Sequence, residues 1–308
     1  MFRPLSVLST CAFLSACGQS VPEQSMPSEA PQPMPVEVID EPVAQETASL
    51  EQIISALPEE AQARVVYRHP QETLTFFGVE PGMTVVDTTP GNVWYTGILA
   101  AYLGPDGKII GADRPLSVWE SFGSDYSPPA FLAERPNWTT TWPDEQTAKY
   151  DAASPSFEAI AYGAVSGELA GTVDVVMMIR EFHNIMAADE SNALIEDVLS
   201  EIHMLLKPGG VFGVVQHRAQ EDMPDAWASG SRGYIKQSAV VALAEGVGFT
   251  LEATSEVNAN PLDQPTEDEA VWRLAPTLDV PEDNAELRDD MLAIGESDRM
   301  TLRFRKAG

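Results

Sequence analysis

Thiols are scarce: the 308-residue chain has two cysteines, Cys11 and Cys17, both close to its start. Everything beyond residue 17 therefore lacks a disulfide, a zinc–thiolate site or a thiol nucleophile. Bases are few as well, 18 Lys and Arg against 47 Asp and Glu, for a net charge of −29. Nucleic acid and anionic lipid surfaces are poor partners for such a chain, because both require phosphate neutralisation. Solubility is the plain reading of the acidity. The apolar run at residues 5–14 is too short to span a bilayer as a mature helix. No internal repeat is visible. Histidine occurs four times, without tight His-x-x-x-His spacing. The metal alternative is a looser set of His183, His217 and Asp113 or Glu181, and no metal is expected. No Gly-x-Gly-x-x-Gly follows the first apolar strand, which weakens a nicotinamide-dependent reading.

What is present divides the chain in three. Arg3, the apolar residues 5–14 and the small residues before Cys17 read as an export signal over 1–17. Leu14-Ser15-Ala16-Cys17 resembles a bacterial lipoprotein box, which implies acylation of Cys17; an ordinary signal peptide with a chance cysteine is the alternative. Gly18 in place of Asp points to the outer membrane, facing the periplasm. Residues 18–47, rich in Pro, Glu, Gln and Ser, read as a flexible tether. The body, 48–308, draws on the 44% apolar content for its core.

In the body, apolar positions 50, 53, 54 and 57 mark one face of a helix. Residues 72–77 continue helical to Gly78. Strands follow at 84–87, 108–113, 157–162, 173–179, 211–216, 250–254 and 300–305, with helices at 95–103, 190–206 and 238–245. Residues 114–171 look largely irregular, and 261–297 form an insertion. Repeated β-α units predict an open, doubly wound, mostly parallel α/β sheet. Ligands in such sheets sit at the carboxyl ends of the strands, where Asp87, Asp113, Arg180 and Gln216 fall.

The chemistry concentrates there. One strand ends in Asp87 and runs through Thr88, Thr89, Pro90, Gly91 and Asn92 into a helix that starts at Trp94 and Tyr95. The next strand ends in Asp113 and Arg114. A turn that exposes N–H groups, followed by a second acid for ribose hydroxyls, is a nucleoside-pocket pattern. Helix capping is the competing role for both acids. Arg180-Glu181-Phe182-His183-Asn184 follows the central strand. His183 is a candidate general base and Asn184 a candidate orienter of the second substrate. His217 ends the neighbouring strand. The bland alternative pairs Arg180 with Glu181 and leaves His183 in a polar seam.

Longer matches add a family. Arg68-His69-Pro70-Gln71-Glu72-Thr73-Leu74, Trp94-Tyr95-Thr96, Leu206-Lys207-Pro208-Gly209-Gly210, Gly233-Tyr234-Ile235-Lys236, Asn258-Ala259-Asn260-Pro261 and Gly295-Glu296-Ser297-Asp298-Arg299-Met300-Thr301-Leu302 resemble an exported bacterial family of class I methyltransferases that use S-adenosylmethionine (SAM). The resemblance implies a Rossmann-like sheet of seven strands whose last strand is antiparallel. It implies SAM as cofactor, held by Asp87, Thr88, Pro90, Gly91, Asn92, Tyr95, Asp113, Arg114, Arg180 and Glu181. It implies His183, Asn184 and His217 beside the methyl-transfer point, and a small-molecule or protein acceptor. Two departures stand out. The family's glycines after Pro90 are reduced to Gly91, with Val93 in the loop, and Gly97 replaces an acid. They leave a non-catalytic, ligand-binding lipoprotein with a degenerate methyltransferase fold as the alternative.

Overall fold

The computed structural model describes residues 48–308. The expected signal segment 1–17 with Cys17, and the tether 18–47, lie outside the described residues. Four short helices lead in: α1 (Leu50–Ser55), α2 (Glu59–Gln62), α3 (Val65–Arg68) and α4 (Pro70–Phe77). Ser49 and Gln52 satisfy each other's backbone N–H groups at the start of α1, a capping box. Pro70 at the first turn presets α4, and Gly78 closes it with φ 73°.

Alternation of strand and helix follows. The chain runs through β1 (Thr84–Thr88), α5 (Trp94–Tyr102), β2 (Lys108–Asp113), α6 (Leu116–Ser121), α7 (Pro129–Glu134), α8 (Trp138–Lys149), β3 (Ser156–Ala161) and β4 (Val173–Ile179). It continues through α9 (Phe182–Ala188), α10 (Ala193–Leu205), β5 (Leu206–Ala219), β6 (Ile235–Lys236), α11 (Gln237–Gly246), β7 (Phe249–Ser255), α12 (Ala285–Ile294) and β8 (Arg299–Lys306). The sheet order is β3-β2-β1-β4-β5-β8-β7, with the two-residue β6 beside the end of β5. Strands β1 to β5 pair in parallel. Strand β8 is antiparallel to both β5 and β7. This is the expected class I methyltransferase-like, Rossmann-like sheet: seven main strands, mostly parallel, with an antiparallel last strand.

Both faces of the central strands β1 and β4 are covered, so these read as nearly unbroken apolar runs. Val85, Val175 and Met177 face one layer, with Leu74, Phe77, Ile98 and Leu99 of α4 and α5. Val86, Val176 and Met178 face the other, with Ile185, Leu199 and Ile202 of α9 and α10. The alternation follows from the two-residue period of a strand.

Two local expectations change. The stretch after Arg114 is helical, not irregular: α6, α7 and α8 fill much of it. Helix α8 carries four threonines and an internal Pro143, so its propensity is poor and tertiary packing decides. Trp138 and Trp142 lie directly on the sheet at Gly111, where a Cβ would come within 2.9 Å of the Trp142 ring. Leu206-Lys207-Pro208-Gly209-Gly210 is not a helix stop followed by a loop. Strand β5 already pairs at Leu206 opposite Val173, and the register shifts before Val211 meets Val175. A bulge absorbs the extra residues.

Candidate active site

The sheet order reverses direction between β1 and β4, and the carboxyl ends of those strands open the crevice where α/β sheets take ligands. Asp87, one residue before the end of β1, is buried and accepts a 2.7 Å hydrogen bond from the Thr96 hydroxyl of α5. Burial pushes its carboxyl up to about 6, against the opposing pull of that bond. Thr88 bonds Tyr162 at 3.0 Å. Beyond Thr88 the loop passes through positive φ at Thr89 (50°), Gly91 (55°) and Val93 (58°), and Val93 opens α5 with no side-chain cap. A β-branched residue in the left-handed region is a true outlier. Pro90 is half-buried, and Gly91 and Asn92 are exposed. Position 97 is a glycine, and a Cβ added there would come within 3.6 Å of the Tyr150 hydroxyl.

Asp113 is fully engaged. Arg135 donates to both of its oxygens, Nε at 2.5 Å and Nη2 at 2.7 Å. The Arg114 backbone N–H and the Trp119 indole N–H also reach Oδ1. Arg135 is itself stacked, its guanidinium 4.6 Å from the Trp119 ring centroid and 5.0 Å from that of Trp138. The acid expected to meet ribose hydroxyls thus meets a guanidinium from the α7–α8 connection.

Glu181 pairs with Arg114 at 2.6 Å, not with Arg180, and accepts from Asn184 at 3.0 Å. Burial raises its carboxyl to about 7, although Arg114 and Asn184 pull the other way. Its Oε1 and the Thr89 hydroxyl are buried without a partner among the described residues. Arg180 ends β4 with φ 58°. Its Nε also has no partner among the described residues.

The two histidines come together, with ring centroids 5.3 Å apart. Gln216 donates its amide to the Gly233 and His217 carbonyls, which leaves Oε1 to face His183 Nδ1 at 3.2 Å. That contact places the His183 proton on Nδ1 and the lone pair on Nε2. Burial first, and then the Arg114 and Arg180 charges, lower its pKa to about 4, with the Gln216 bond opposing. His217 bonds Ser297 at 2.5 Å and is held well below the ordinary imidazole value by burial and by His183. No group of three His, Cys, Asp or Glu that could hold a metal ion occurs among the described residues.

Apart from Leu206–Gly210, which opens β5 at the opposite end of the sheet, the longer motifs converge on the same end. Arg68 stacks over Trp94 at 4.9 Å, and the Tyr95 hydroxyl reaches the Arg68 carbonyl at 3.4 Å. Burial raises the Tyr95 hydroxyl to about 12. Asn258 joins Thr73 to Thr301, and Asn260 donates to the Ile294 and Glu296 carbonyls. These asparagines build the loop rather than face solvent. The 261–297 insertion is tied down by buried Asp263, which takes bonds from Tyr234, Arg273 and the Asp298 N–H.

Arg135, Glu296, Arg299 and Asp263 carry geometry that sequence reading missed. For Arg135 the available signal was its setting, Phe131 four residues before and Trp138 three after, an aromatic bracket for a cation. Glu296 and Arg299 lay inside a quoted motif, but only contact with α3 shows what they hold.

No family model matches the chain, and no curated protein does. Solved structures resemble it in fold. A SAM-dependent methyltransferase from Aquifex aeolicus is 18% identical, covering 68% of this chain and 94% of its own, with a TM-score of 0.42. A geranyl diphosphate methyltransferase solved with GPP and sinefungin is 15% identical over 78% of each chain, at 0.45. The [4+2]-cyclase SpnF is 12% identical over 78% of this chain and 80% of its own, at 0.47. At such identities and scores these likenesses assign no activity or residue.

Proposed function

We propose that this chain is a SAM-dependent methyltransferase for a small-molecule or protein acceptor. In the same reading it is exported and held by a lipid on Cys17 at the outer membrane, facing the periplasm. The observation that carries the enzymatic part is the crowding of strained backbone at the switch point. His69, Thr89, Val93 and Arg180 all adopt positive φ around one crevice. Such residues cost of order 1–3 kcal/mol each, persist only where the surrounding structure over-determines them, and cluster at active sites.

The residues fit the cofactor. The Thr89 hydroxyl and Glu181 Oε1, which act on each other but have no well-formed hydrogen bond among the described residues, offer polar atoms to a ligand, and the uncapped start of α5 offers N–H groups. Asp113 would hold the ribose once Arg135 releases it; Asp87 and residues 88–92 would hold the amino-acid end, with Tyr95, Arg114 and Glu181 around it. Bound SAM supplies an electrophilic methyl group on a sulfonium. The chain's own task is to align an acceptor and exclude water. His183 Nε2, unprotonated above pH 4, is the site for a proton leaving a hydroxyl or amine acceptor, with Asn184 and His217 beside it.

The test is calorimetric titration of SAM and S-adenosylhomocysteine into the purified chain. Binding that disappears in Asp113→Asn supports the reading. Absence of heat at roughly 1 mM ligand sinks it and leaves the non-catalytic alternative.

A further inference from the structure

On the opposite side of the crevice from Asp113, one carboxylate is surrounded by arginines. Glu296, 3% exposed, accepts from Arg64 through Nε at 2.7 Å and also through Nη2. Arg299, 3% exposed, reaches Glu296 through Nη1 at 3.1 Å. Arg68, 5% exposed, stands 3.6 Å away through Nε, too far for a hydrogen bond, and that Nε has no partner among the described residues. Arg180 lies close enough for the charges of Arg299, Glu296 and Arg64 to act on it, and forms no ion pair among the described residues. Three guanidinium groups therefore surround one carboxylate, and the charge of a fourth, Arg180, acts on the set.

Buried like charges are expensive, and proteins pair them or neutralise them. Burial and mutual repulsion lower the pKa of Arg180, and burial with the Arg180 charge lowers that of Arg68 to about 10. The Arg299 guanidinium also donates to the Tyr67 and Ser297 carbonyls, so it is fixed in place. Arg64 and Arg180 remain partly exposed, which keeps the cluster reachable. A rigid, partly open set of planar donors with surplus positive charge matches an oxyanion.

We propose that Arg64, Arg68, Arg180 and Arg299 form a binding site for an oxyanionic group, a carboxylate or phosphate, carried by a small molecule other than SAM. The site does not depend on the methyltransferase reading. In a methyltransferase, that anion anchors the acceptor beside His183 and His217, whose rings also feel the Arg180 charge.

The experiment titrates inorganic phosphate and malonate into the full chain, with potassium chloride at matched ionic strength as control. The chain's net charge of −29 repels anions overall, so saturable uptake of either ion reports a local site. Expected is binding in the range of about 1 mM, weakened about tenfold or more in Arg180→Gln and in Arg68→Gln. Glu296→Gln, which removes the competing carboxylate, should tighten it. Arg180 holds no ion pair among the described residues, so Arg180→Gln should keep the fold, as circular dichroism would show. Uptake no greater than the salt control overturns the proposal. So does unchanged affinity in both arginine variants, or competitive displacement of phosphate by S-adenosylhomocysteine. Phosphate or malonate binding without any SAM binding would sink the methyltransferase reading and leave this site standing.

Discussion

Replacing Arg135 with alanine should tighten cofactor binding while it destabilises the protein. Both oxygens of Asp113 are occupied by Arg135 at 2.5 and 2.7 Å, so a ribose can claim them only after the guanidinium leaves. Two charge-assisted hydrogen bonds set the scale, each about 1.5–3 kcal/mol net. The Arg135 side chain is 17% exposed and is rehydrated on release, and Asp113 keeps the Arg114 and Trp119 donors. The opening therefore costs about 2 kcal/mol. A binding-competent state that much higher lowers apparent affinity about 30-fold. In Arg135→Ala this cost is already met in the free protein, which should lose about 2 kcal/mol and melt ~4–8 °C lower. Calorimetry with S-adenosylhomocysteine reads the first effect and thermal melts the second. The double variant Arg135→Ala/Asp113→Asn should forfeit the gain. Equal or weaker binding in Arg135→Ala would refute the reasoning, because the arginine would then help to hold the ligand.

Other expectations follow from the same crevice. Val93→Gly removes a branched side chain from φ 58° and should stabilise the chain by ~1 kcal/mol, strain relief exceeding the entropy that glycine adds to the unfolded chain; a lower melting temperature would contradict the strain. Burial pushes the Asp87 carboxyl up to about 6 from its ordinary 3.8, so the folded state holds its proton more tightly than the unfolded one. Stability from this group is fully present below pH 4 and falls as pH rises to 6, by about 3 kcal/mol. Asp87→Asn should therefore stabilise at pH 7 and change little at pH 4, as paired denaturant melts would reveal. His183 stays neutral above pH 4. Methyl transfer that uses Nε2 should show no histidine limb between about pH 5 and 8, and a limb near 6.5 would place the base elsewhere. Gly295→Ala would put a Cβ within 2.6 Å of the Tyr67 ring at a φ of 87°. It should cost about 1–3 kcal/mol and disturb the arginine cluster, and an unchanged melting temperature would show that Tyr67 can give way.

The amino-acid sequence by itself determined the sheet and the strand edge at which the candidate residues gather. Apolar runs at 84–87, 108–113 and 173–179 are short-range patterns, and a strand buried on both faces can hardly be written otherwise. Asp87, Asp113, Arg180 and Glu181 were legible for the same reason: each follows such a run directly, so strand direction brings them to one edge. Tertiary structure alone decided what those groups meet. Helix α8, with its threonines and proline, has little local signal and exists because two tryptophans pack on Gly111. Through it Arg135 reaches Asp113. Glu296 and Arg299 meet Arg64 and Arg68 only because β8 lies antiparallel beside β5 and returns the end of the chain to α3. Periodicity reports which side of an element is buried. It carries no record of which charges, distant along the chain, share that burial, and Coulomb energy in a low-dielectric crevice depends on that sharing.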